Sequence, residues 1–260
     1  MLHNEPRFFA KIAETKEEYH SAQRLRYEVF VKEFGSAGPL VDHKSALEKD
    51  ELDPYFDHLI LYDLAKPKCI TPSVVGVYRL LPHDKALKLG KFYSEVEYDI
   101  EPLRASGRRL LELGRSCLHQ DYRGGTAMFY LWQALSDYAL ERNIEILFGV
   151  ASFHGTNISK LAEPLSILHY DHLAPKDLRV RAKHPNSHRM DLIHPADLNR
   201  SKAMISVPAL IKAYLRLGGV VGQGAFIDHT FNTTDVCVIL DTKKLNIKNR
   251  KIYVKQEGSQ

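Results

Sequence analysis

The stretch LLELGRSCLHQDYRGGT, residues 110–126, joins an apolar run to a glycine-rich turn. The apolar run over 109–118 predicts a strand, and apolar residues at helical spacing over 126–142 predict a helix. A second apolar run over 144–152 predicts the following strand. Strand, turn, helix and strand in this order form a unit in which a helix joins two parallel strands. The stretch therefore predicts an α/β fold.

The glycine turn, Arg-Gly-Gly-Thr at residues 123–126, has the form of an anion site. Backbone N–H groups at the start of a helix lack intrahelical partners, and the helix dipole adds positive charge there. The turn has neither the Lys-Ser/Thr of a P-loop nor the acidic signature of a dinucleotide-binding fold. Two interpretations stay open: a phosphate-binding turn, and a tight corner between a strand and a helix.

Other patterns extend the fold in both directions. Apolar runs predict strands over 7–12, 58–63, 73–81, 220–228 and 235–240, and helical spacing predicts helices over 16–34, 157–170 and 207–217. Thr15 and Glu18 have the spacing of a capping box, which marks the start of the first helix. The polar, acidic segment 41–57 is predicted to be an ordered loop.

The composition is that of a globular protein, with 44% hydrophobic and 26% charged residues among 260. We expect one domain over 1–260, with its core at about 7–240 and a basic tail at 242–260. The net charge of +4 suits an anionic partner, but no recognition helix or aromatic-basic stripe indicates nucleic acid. No signal-peptide pattern or membrane-spanning run is found, so we expect a cytoplasmic protein.

Cysteine and histidine patterns indicate neither a thiol nucleophile nor a metal. Cys69, Cys117 and Cys237 lie far apart, without a CxxC pair. Cys117, next to a strand interior, is predicted to be a small buried apolar side chain and not an acyl-accepting nucleophile. The 13 histidines include no set with telling metal-ligand spacing, so we expect no metal site.

The strand, Arg-Gly turn, helix and strand resemble motif A of the GNAT superfamily, whose turn grips the pyrophosphate of a pantetheine carrier. Arg123, Gly124 and Gly125 match the start of that motif, whereas Thr126 replaces a glycine. The resemblance implies a GNAT-like acyltransferase fold with a mixed sheet whose central strands splay around the pantetheine arm. The altered turn indicates a donor other than acetyl-CoA, because a carrier-protein phosphopantetheine has one phosphate and needs less from the turn.

The upstream half resembles the acyl-homoserine-lactone autoinducer synthases, which take acyl groups from acyl carrier protein. The resemblance is carried by LRYEVFVKEFG at 25–35, the acidic segment 51–57, GVYRLLP at 76–82 and ELGR at 112–115. In that family, arginine and acidic residues form an ion-pair network around the amine site. The matching positions in this chain are Arg26, Asp53, Asp57, Arg79, Glu112 and Arg115.

The rest of the chain is more similar to the bacterial ornithine acyltransferases that make lyso-ornithine lipid. This similarity is carried by FYSEVEYDI at 92–100, ELGRSCLHQDYRGG at 112–125, FGVASFHGTN at 148–157 and GAFIDHTFNTTDVCVIL at 224–240. It implies transfer of a 3-hydroxyacyl group from acyl carrier protein to the α-amine of ornithine. The acyl-phosphopantetheine of the carrier is then the donor, and no permanently bound cofactor is expected.

The candidate catalytic residues are Glu112 and Arg115. Aminolysis of a thioester needs a neutral amine, so a base must take a proton from it. Glu112, beside the proposed thioester position, is the candidate base; the alternative is a structural ion pair with Arg115 or Arg79. Backbone N–H groups near Cys117 and Leu118 are candidate donors to the oxyanion.

The candidate substrate-binding residues are chosen by charge. An arginine fork binds both oxygens of a carboxylate, which makes three arginines candidates for the carboxylate of the amino acid: Arg26, Arg79 and Arg115. Asp53 and Asp57 are candidates for ornithine's distal ammonium; the alternative is that they staple a loop to those arginines.

The candidates for contact with the acyl-pantetheine and the acyl chain lie in the second half of the stretch 110–126 and on the next predicted strand. The pantetheine candidates are Cys117, Leu118, Arg123, Gly124, Gly125 and Thr126. Ser152 and Phe153 complete the substrate-binding set, with Phe153 a candidate for the acyl groove and ordinary core packing its alternative.

Two basic segments, 176–202 and 243–255, suit either the acidic surface of acyl carrier protein or an anionic inner membrane, or are solvated surface. Three other functions stay open: another N-acyl amino acid synthase, a homoserine lactone synthase, and a non-catalytic sensor that binds acyl carrier protein or lipid. The last is supported by the altered glycine turn.

Overall fold

The computed structural model describes residues 7–38, 41–65 and 74–244. Its strands are β1 Phe8–Ile12, β2 Asp57–Asp63, β3 Val74–Pro82, β4 Tyr98–Asp99, β5 Leu110–Leu118, β6 Ile146–His154, β7 Arg181–Ala182, β8 Ser187–His188, β9 Val220–Val221, β10 Ala225–Asp228 and β11 Thr233–Asp241. Its α-helices are α1 Lys16–Arg26, α2 His83–Leu89, α3 Glu101–Ala105, α4 Ala127–Glu141, α5 Ala162–His172, α6 Arg200–Ser206 and α7 Ala209–Arg216.

The chain divides into two compact units that alternate along the sequence. Unit 1 takes its described residues from 1–85 and 113–142, and unit 2 from 86–112 and 143–249. Strand β5 therefore contributes its first residues, up to Glu112, to unit 2 and its remaining residues to unit 1. The expectation of one domain over 1–260, with a tail at 242–260, stays a prediction.

Unit 1 is built on an antiparallel sheet whose two faces are both covered. Strand β1 pairs with β2, β2 pairs with β3, and β3 neighbours β5. Ile60 and Val77 pack in one cluster with Leu25 of α1. The next residue after Val77, Tyr78, receives a 3.2 Å hydrogen bond from Trp132 Nε1 of α4. Successive strand residues point to opposite faces, so α1 and α4 lie on opposite sides of this sheet.

The covered faces explain the sequence of unit 1. A strand that is buried on both sides needs apolar residues at nearly every position, and β3 is buried along all but its first residue. The first helix begins where it was predicted to begin: Thr15 and Glu18 form a reciprocal capping box. The predicted strands over 7–12 and 58–63 are also confirmed.

The predicted helix over 16–34 changes type halfway. It is α-helical to Arg26 and π-helical over Tyr27–Glu33. The wider turns are closed by bonds such as Phe34 N to Val29 O at 3.2 Å. A π-helical segment is rare and occurs frequently at functional sites, and helical spacing in a sequence does not distinguish it from an α-helix.

Unit 2 contains the parallel pair that the glycine stretch predicted. Leu110–Glu112 of β5 pair in parallel with Ile146–Phe148 of β6. The remaining long pairing is antiparallel, with β11 in register along the whole of β6 and with β10 at its start. The predicted mixed α/β class with a mostly antiparallel sheet is confirmed. A splay of the strands beyond Glu112 stays a prediction.

Several boundaries differ from those predicted. A 3-10 turn over Ile158–Leu161 precedes α5, because Asn157 caps that turn through its side chain. Helices α2 and α6 were not predicted, since each is only seven residues long and has little room for an apolar period. Within 7–38, 41–65 and 74–244, no helix has the length and apolar character required to span a membrane.

Candidate functional site

Six charged residues of unit 1 meet in what we call the ion cluster. Three arginines and three carboxylates contribute, so their formal charges cancel: Arg26, Glu48, Asp50, Asp53, Arg79 and Arg115. They come from the end of α1, the loop before β2, strand β3 and strand β5. Such a buried network is costly to form and persists when its charges are paired and hydrogen-bonded.

Arg26 lies at the centre of the ion cluster with a fully buried side chain. It binds Glu48 through Nε and Nη2, and its Nη1 donates to Asp53 Oδ1 at 2.7 Å. Burial alone would lower the pKa of Arg26, but the charges of Glu48 and Asp53 outweigh it and raise that pKa. The guanidinium therefore remains a cation within the protein interior.

Arg79 is the second buried cation of the ion cluster. It binds Asp50 and donates to Asp53 Oδ1 at 2.9 Å, while its Cζ lies 4.2 Å from the centre of the Phe56 ring. Burial would raise the pKa of Asp53, but Arg26 and Arg79 outweigh it and hold that pKa well below its usual range. Asp53 is consequently an anion shared by two guanidinium groups.

Hydrogen bonds from α1 fix the acidic loop. Glu48 N donates to Gln23 O at 3.1 Å, and Gln23 Nε2 donates to Asp53 Oδ2 at 2.9 Å. Within the loop, Leu52 N donates to Asp50 Oδ1 at 2.9 Å. One glutamine on the helix thus orients two segments of the loop, and the carboxylates of Glu48, Asp50 and Asp53 converge on the arginines.

His58 completes the surroundings of Asp53. It is the cross-strand neighbour of Arg79, and its Nε2 lies 3.6 Å from Asp53 Oδ1. Burial lowers the pKa of His58 to about 4, and the adjacent Arg26 contributes to the decrease. His58 is therefore neutral near pH 7, and the ion cluster keeps its balance of charges.

The ion cluster is buried at one end and partly exposed at the other. The side chains of Arg26, Glu48, Asp53 and Arg79 are at most 7% exposed. In contrast, Arg115 is 17% exposed and Asp50 is 24% exposed. Arg115 Nη2 and Asp50 Oδ2 are 4.0 Å apart, so a guanidinium and a carboxylate lie side by side at the partly exposed end.

Arg115 has a strained backbone. Its φ is +47°, in the left-handed region. This conformation costs a non-glycine residue about 1–2 kcal/mol, and such strain concentrates at functional sites. Arg115 Nε donates to Glu48 Oε1 at 3.0 Å, and its guanidinium lies 6.0 Å from the ring centre of Phe30 in the π-helical segment. These contacts hold the guanidinium at the partly exposed end and offset the cost of the backbone strain.

Asp57 does not join the ion cluster, contrary to its predicted grouping with Asp53. Its Oδ1 accepts from Lys85 Nζ at 2.7 Å, and its Oδ2 accepts from Tyr138 OH at 2.6 Å. Burial and the hydrogen bond to Asp57 raise the pKa of Tyr138. Asp57 starts β2 and faces α4, whereas Asp53 lies in the 3-10 turn before the strand and faces α1.

Sequence reasoning missed Glu48 and Asp50, although it included Asp53. The acidic run from 48 to 57 contains five carboxylates, and the motif that resembles the autoinducer synthases starts only at Glu51, which is exposed. The run indicates that this loop contributes carboxylates to the site. Which of them point inwards depends on the turns of the loop, which the sequence pattern does not reveal.

The glycine turn of unit 1 lies at the surface, with residues 123–126 all exposed. Gly124 has φ +76°, which suits glycine. The guanidinium of Arg123 forms a double ion pair with Glu33, at 2.5 and 2.6 Å, and also donates to Leu118 O. The residue expected to grip a phosphate is therefore already bound to a carboxylate of the π-helical segment.

Cys117 has the buried position predicted for it. It is 6% exposed and packs in the same cluster as α1. Burial raises the pKa of its thiol to about 12, so the reactive thiolate is not formed near pH 7. The predicted burial of Cys117 is observed, and the expectation that it is not a nucleophile stays a prediction.

Glu112, in unit 2, is 2% exposed and holds a turn. Its Oε2 accepts from Tyr93 N at 2.7 Å, its Oε1 accepts from Ser94 N at 2.6 Å, and Ser94 Oγ also donates to Oε1. These three donors satisfy a buried carboxylate and fix the 3-10 turn over Tyr93–Val96. This geometry gives Glu112 a structural role; its role as a base stays a prediction.

Strand β6 of unit 2 carries the other two substrate candidates on opposite faces. Phe153 is 2% exposed and contributes to the core, whereas Ser152 is exposed. Their cross-strand partners are Thr234 and Asp235 of β11. The burial of Phe153 favours the alternative of core packing; contact of Phe153 or Ser152 with a substrate stays a prediction.

The basic segment over 176–202 is partly neutralised within unit 2. Arg189 pairs with Asp191, and Arg200 pairs with Asp171. Lys202 is a further member, 3.3 Å from Glu163. Ion-paired side chains favour the interpretation as solvated surface for this part of the segment. Residues 245–255 of the second basic segment lie outside the described residues.

Three carboxylates of unit 2 were not predicted to meet. Oxygen atoms of Glu97, Asp228 and Asp235 lie within 4.8 Å of one another, a spacing that could hold a metal ion. Part of this oxygen set is already engaged: Thr233 Oγ1 donates to Asp235, and the backbone of Thr230 donates to Asp228. The expectation of no metal site stays a prediction.

Comparison with known proteins gives the family. The model of the acetyltransferase (GNAT) domain matches residues 25–133, which include the ion cluster and the glycine turn. A protein of Rhodobacter capsulatus named L-ornithine N(alpha)-acyltransferase is 55% identical over 246 residues, which cover 95% of this chain and 94% of the relative. The chain belongs to this family. A Brucella abortus protein of the same name is 38% identical, over 94% of the chain and 87% of the relative.

Membership of the L-ornithine N(alpha)-acyltransferase family makes the chain an acyltransferase and confirms the predicted resemblance. The fold has a solved counterpart in FeeM, an N-acyl amino acid synthase from uncultured soil microbes, with a TM-score of 0.52 and 14% identity over 92% of each chain. The GNAT-like fold predicted from the glycine stretch is therefore confirmed.

Proposed function

We propose that this acyltransferase moves a 3-hydroxyacyl group from the phosphopantetheine of acyl carrier protein to the α-amine of L-ornithine, forming lyso-ornithine lipid. The name of the family supports ornithine as the acceptor. One observation carries the proposal: the buried ion cluster ends in a partly exposed guanidinium, Arg115, beside a partly exposed carboxylate, Asp50. A free amino acid with a second ammonium group presents the complementary pair of charges.

Arg115 and Asp50 are the proposed contacts for the two ends of ornithine. The guanidinium fork of Arg115 donates to the α-carboxylate, and the carboxylate of Asp50 accepts hydrogen bonds from the distal ammonium. Ornithine with a neutral α-amine has no net charge, so its binding preserves the balance of the ion cluster. The ammonium contact moves from Asp57 to Asp50 because Asp57 is bound to Lys85 and Tyr138.

The same contacts explain selective acylation of the α-amine. In peptides an α-amine loses its proton at a pKa near 7.7–8.0, against about 10.4 for a side-chain amine, so the α-amine is the more easily deprotonated of the two. A distal ammonium paired with Asp50 is held in its charged form and cannot attack a thioester. The α-amine is then the nucleophile, the carrier thiol is the leaving group, and backbone N–H groups near Cys117 and Leu118 are the proposed donors to the oxyanion.

Glu112 is the proposed base for the α-amine. Because its carboxylate also accepts hydrogen bonds from Tyr93 and Ser94, the test must separate a catalytic role from a structural one. Glu112→Gln should lower kcat/KM for ornithine about 100-fold near pH 7. The loss should shrink near pH 9, since the α-amine then loses its proton without help. The control is Ser94→Ala, which removes one donor to the same carboxylate and should cost at most about fivefold at either pH.

Equal losses in Glu112→Gln and Ser94→Ala, unchanged between the two pH values, would leave Glu112 with the structural role alone. Circular dichroism of both variants shows whether the fold is kept, since an amide in place of Glu112 directs an NH2 group at a backbone donor.

The proposed location is the cytoplasm, with peripheral contact between the protein and the anionic inner membrane. The product is an amphiphile, and the basic residues of 176–202 that remain exposed, such as Lys176, support this contact. The acidic surface of the carrier protein competes with the anionic membrane for these basic residues.

A panel assay tests the function. The protein is incubated with 3-hydroxyacyl carrier protein and ornithine, lysine, homoserine or glycine, and products are identified by mass spectrometry. We expect Nα-acylornithine and release of the carrier thiol that depends on ornithine. Acylation of every amino acid alike would indicate a general N-acyl amino acid synthase. A lactone formed with S-adenosylmethionine would indicate a homoserine lactone synthase, and carrier binding without thiol release a sensor.

A further inference from the structure

The double ion pair between Arg123 and Glu33 neutralises the glycine turn. Arg123 Nη1 and Nη2 each donate to one oxygen of Glu33, at 2.5 and 2.6 Å. On its other edge, Nε and Nη2 donate to Leu118 O at 3.2 and 3.1 Å. The planar group is thereby held on two sides, and its Cζ lies 5.8 Å from the ring centre of Phe34. The pKa of the Glu33 carboxyl is lowered by this hydrogen-bonded pairing, so it remains an anion.

The two possible donors differ most in charge. Coenzyme A carries a pyrophosphate and a further phosphate on its ribose, whereas the arm of a carrier protein is joined through one phosphodiester. Backbone N–H groups and a helix dipole suffice for a single phosphate group. Several phosphate charges are held better when a guanidinium contributes its fork. A turn whose arginine is already paired therefore favours the donor with fewer charges.

We propose that Glu33 determines donor specificity: by pairing with Arg123 it withholds the guanidinium from phosphate groups and selects the carrier-bound acyl group over acyl-CoA. This inference rests on the proposed function, because it assumes that the glycine turn receives the phosphate of the donor. It goes beyond that function in assigning the selection to a carboxylate of the π-helical segment. The ion pair is a partly exposed one, with side chains 39% and 32% exposed, so donor molecules can reach it.

The test compares two donors that carry the same acyl group. In Glu33→Gln, kcat/KM for acyl-CoA should rise about tenfold, equivalent to about 1.4 kcal/mol. For acyl carrier protein it should stay within about twofold, since one phosphodiester gains little from an additional cation. The gain with acyl-CoA should diminish between about 0.05 M and about 0.5 M salt, as screening requires for a surface charge.

The matched control is Glu28→Gln. Glu28 lies on the same π-helical segment and pairs with Lys32 at 2.7 Å, so the variant removes one negative charge without touching Arg123. Its ratio of the two kcat/KM values should equal that of the wild type. The double variant Glu33→Gln/Arg123→Gln should also return to the wild-type ratio, because the effect acts through the arginine.

A direct binding measurement separates this inference from the proposed function. The affinity of the protein for free CoA, measured by calorimetry, should increase about tenfold in Glu33→Gln. If wild type forms no acylornithine from either donor, the proposed function fails, and the CoA titration still tests the role of Glu33. Unchanged CoA affinity and an unchanged donor ratio would overturn the inference, as would a wild-type enzyme that uses acyl-CoA as readily as the carrier.

Discussion

Replacing Arg26 by methionine is expected to lower the free energy of unfolding by about 3–5 kcal/mol. Arg26 is fully buried and pairs with two buried carboxylates, Glu48 and Asp53. Methionine matches part of the volume but leaves both carboxylates with one cation fewer, and an uncompensated buried charge is expensive. Urea denaturation near neutral pH measures the difference.

The matched control for this variant is Arg24→Met. Arg24 lies on the same helix, but its side chain is 46% exposed and it pairs with Glu17 at the surface. Its removal should change the free energy of unfolding by no more than about 0.5 kcal/mol. If Arg26→Met were as stable as Arg24→Met, the ion cluster would contribute little to folding.

Replacing Arg115 by glutamine is expected to lower kcat/KM for ornithine about 200- to 1000-fold, equivalent to about 3–4 kcal/mol. The variant removes the proposed partner of the substrate carboxylate and also the contact with Glu48. Because Arg115 is partly exposed, we expect a smaller loss of stability than for Arg26→Met. Initial rates at varied ornithine concentration separate the effects on KM and kcat.

Arg115→Lys distinguishes charge from shape. A lysine keeps the positive charge but lacks the fork that binds both oxygens of a carboxylate, so we expect it to recover only part of the loss. Arg24→Gln serves as the control for a general effect of losing an arginine. An Arg115→Gln variant with unchanged KM and kcat for ornithine would remove Arg115 from substrate binding and, with it, the observation that carries the proposed function.

Much of the fold could be predicted because local patterns of apolar residues agree with the packing. The two faces of the β3 sheet are both covered, and the run over 73–81 is apolar throughout for that reason. The capping box of α1 depends on two residues three positions apart, so a sequence displays it completely. The π-helical segment was not predicted, because its side chains have nearly the spacing of an α-helix.

The sequence predicted the type of candidate site but only some of its residues. Arg26, Asp53, Arg79 and Arg115 were expected to form an ion-pair network, and these four do meet. Glu112 was expected to work beside them, yet its described hydrogen bonds go to Tyr93 and Ser94. The partners of a carboxylate depend on which donors the backbone brings within reach. The spacing of residues along the sequence does not reveal those donors.

The sequence by itself determined that this chain is a GNAT-like acyltransferase with a glycine turn and a set of arginines and acids able to pair. Those features reside in short motifs whose residues are neighbours along the chain. Only the tertiary structure decided that Asp50 and not Asp57 stands beside Arg115, and that Glu33 occupies Arg123. The residues of each pair lie at least 50 positions apart in the sequence, and the choice of Asp50 over Asp57 depends on the path of one loop. Folding alone therefore sets which charges meet and which stay exposed.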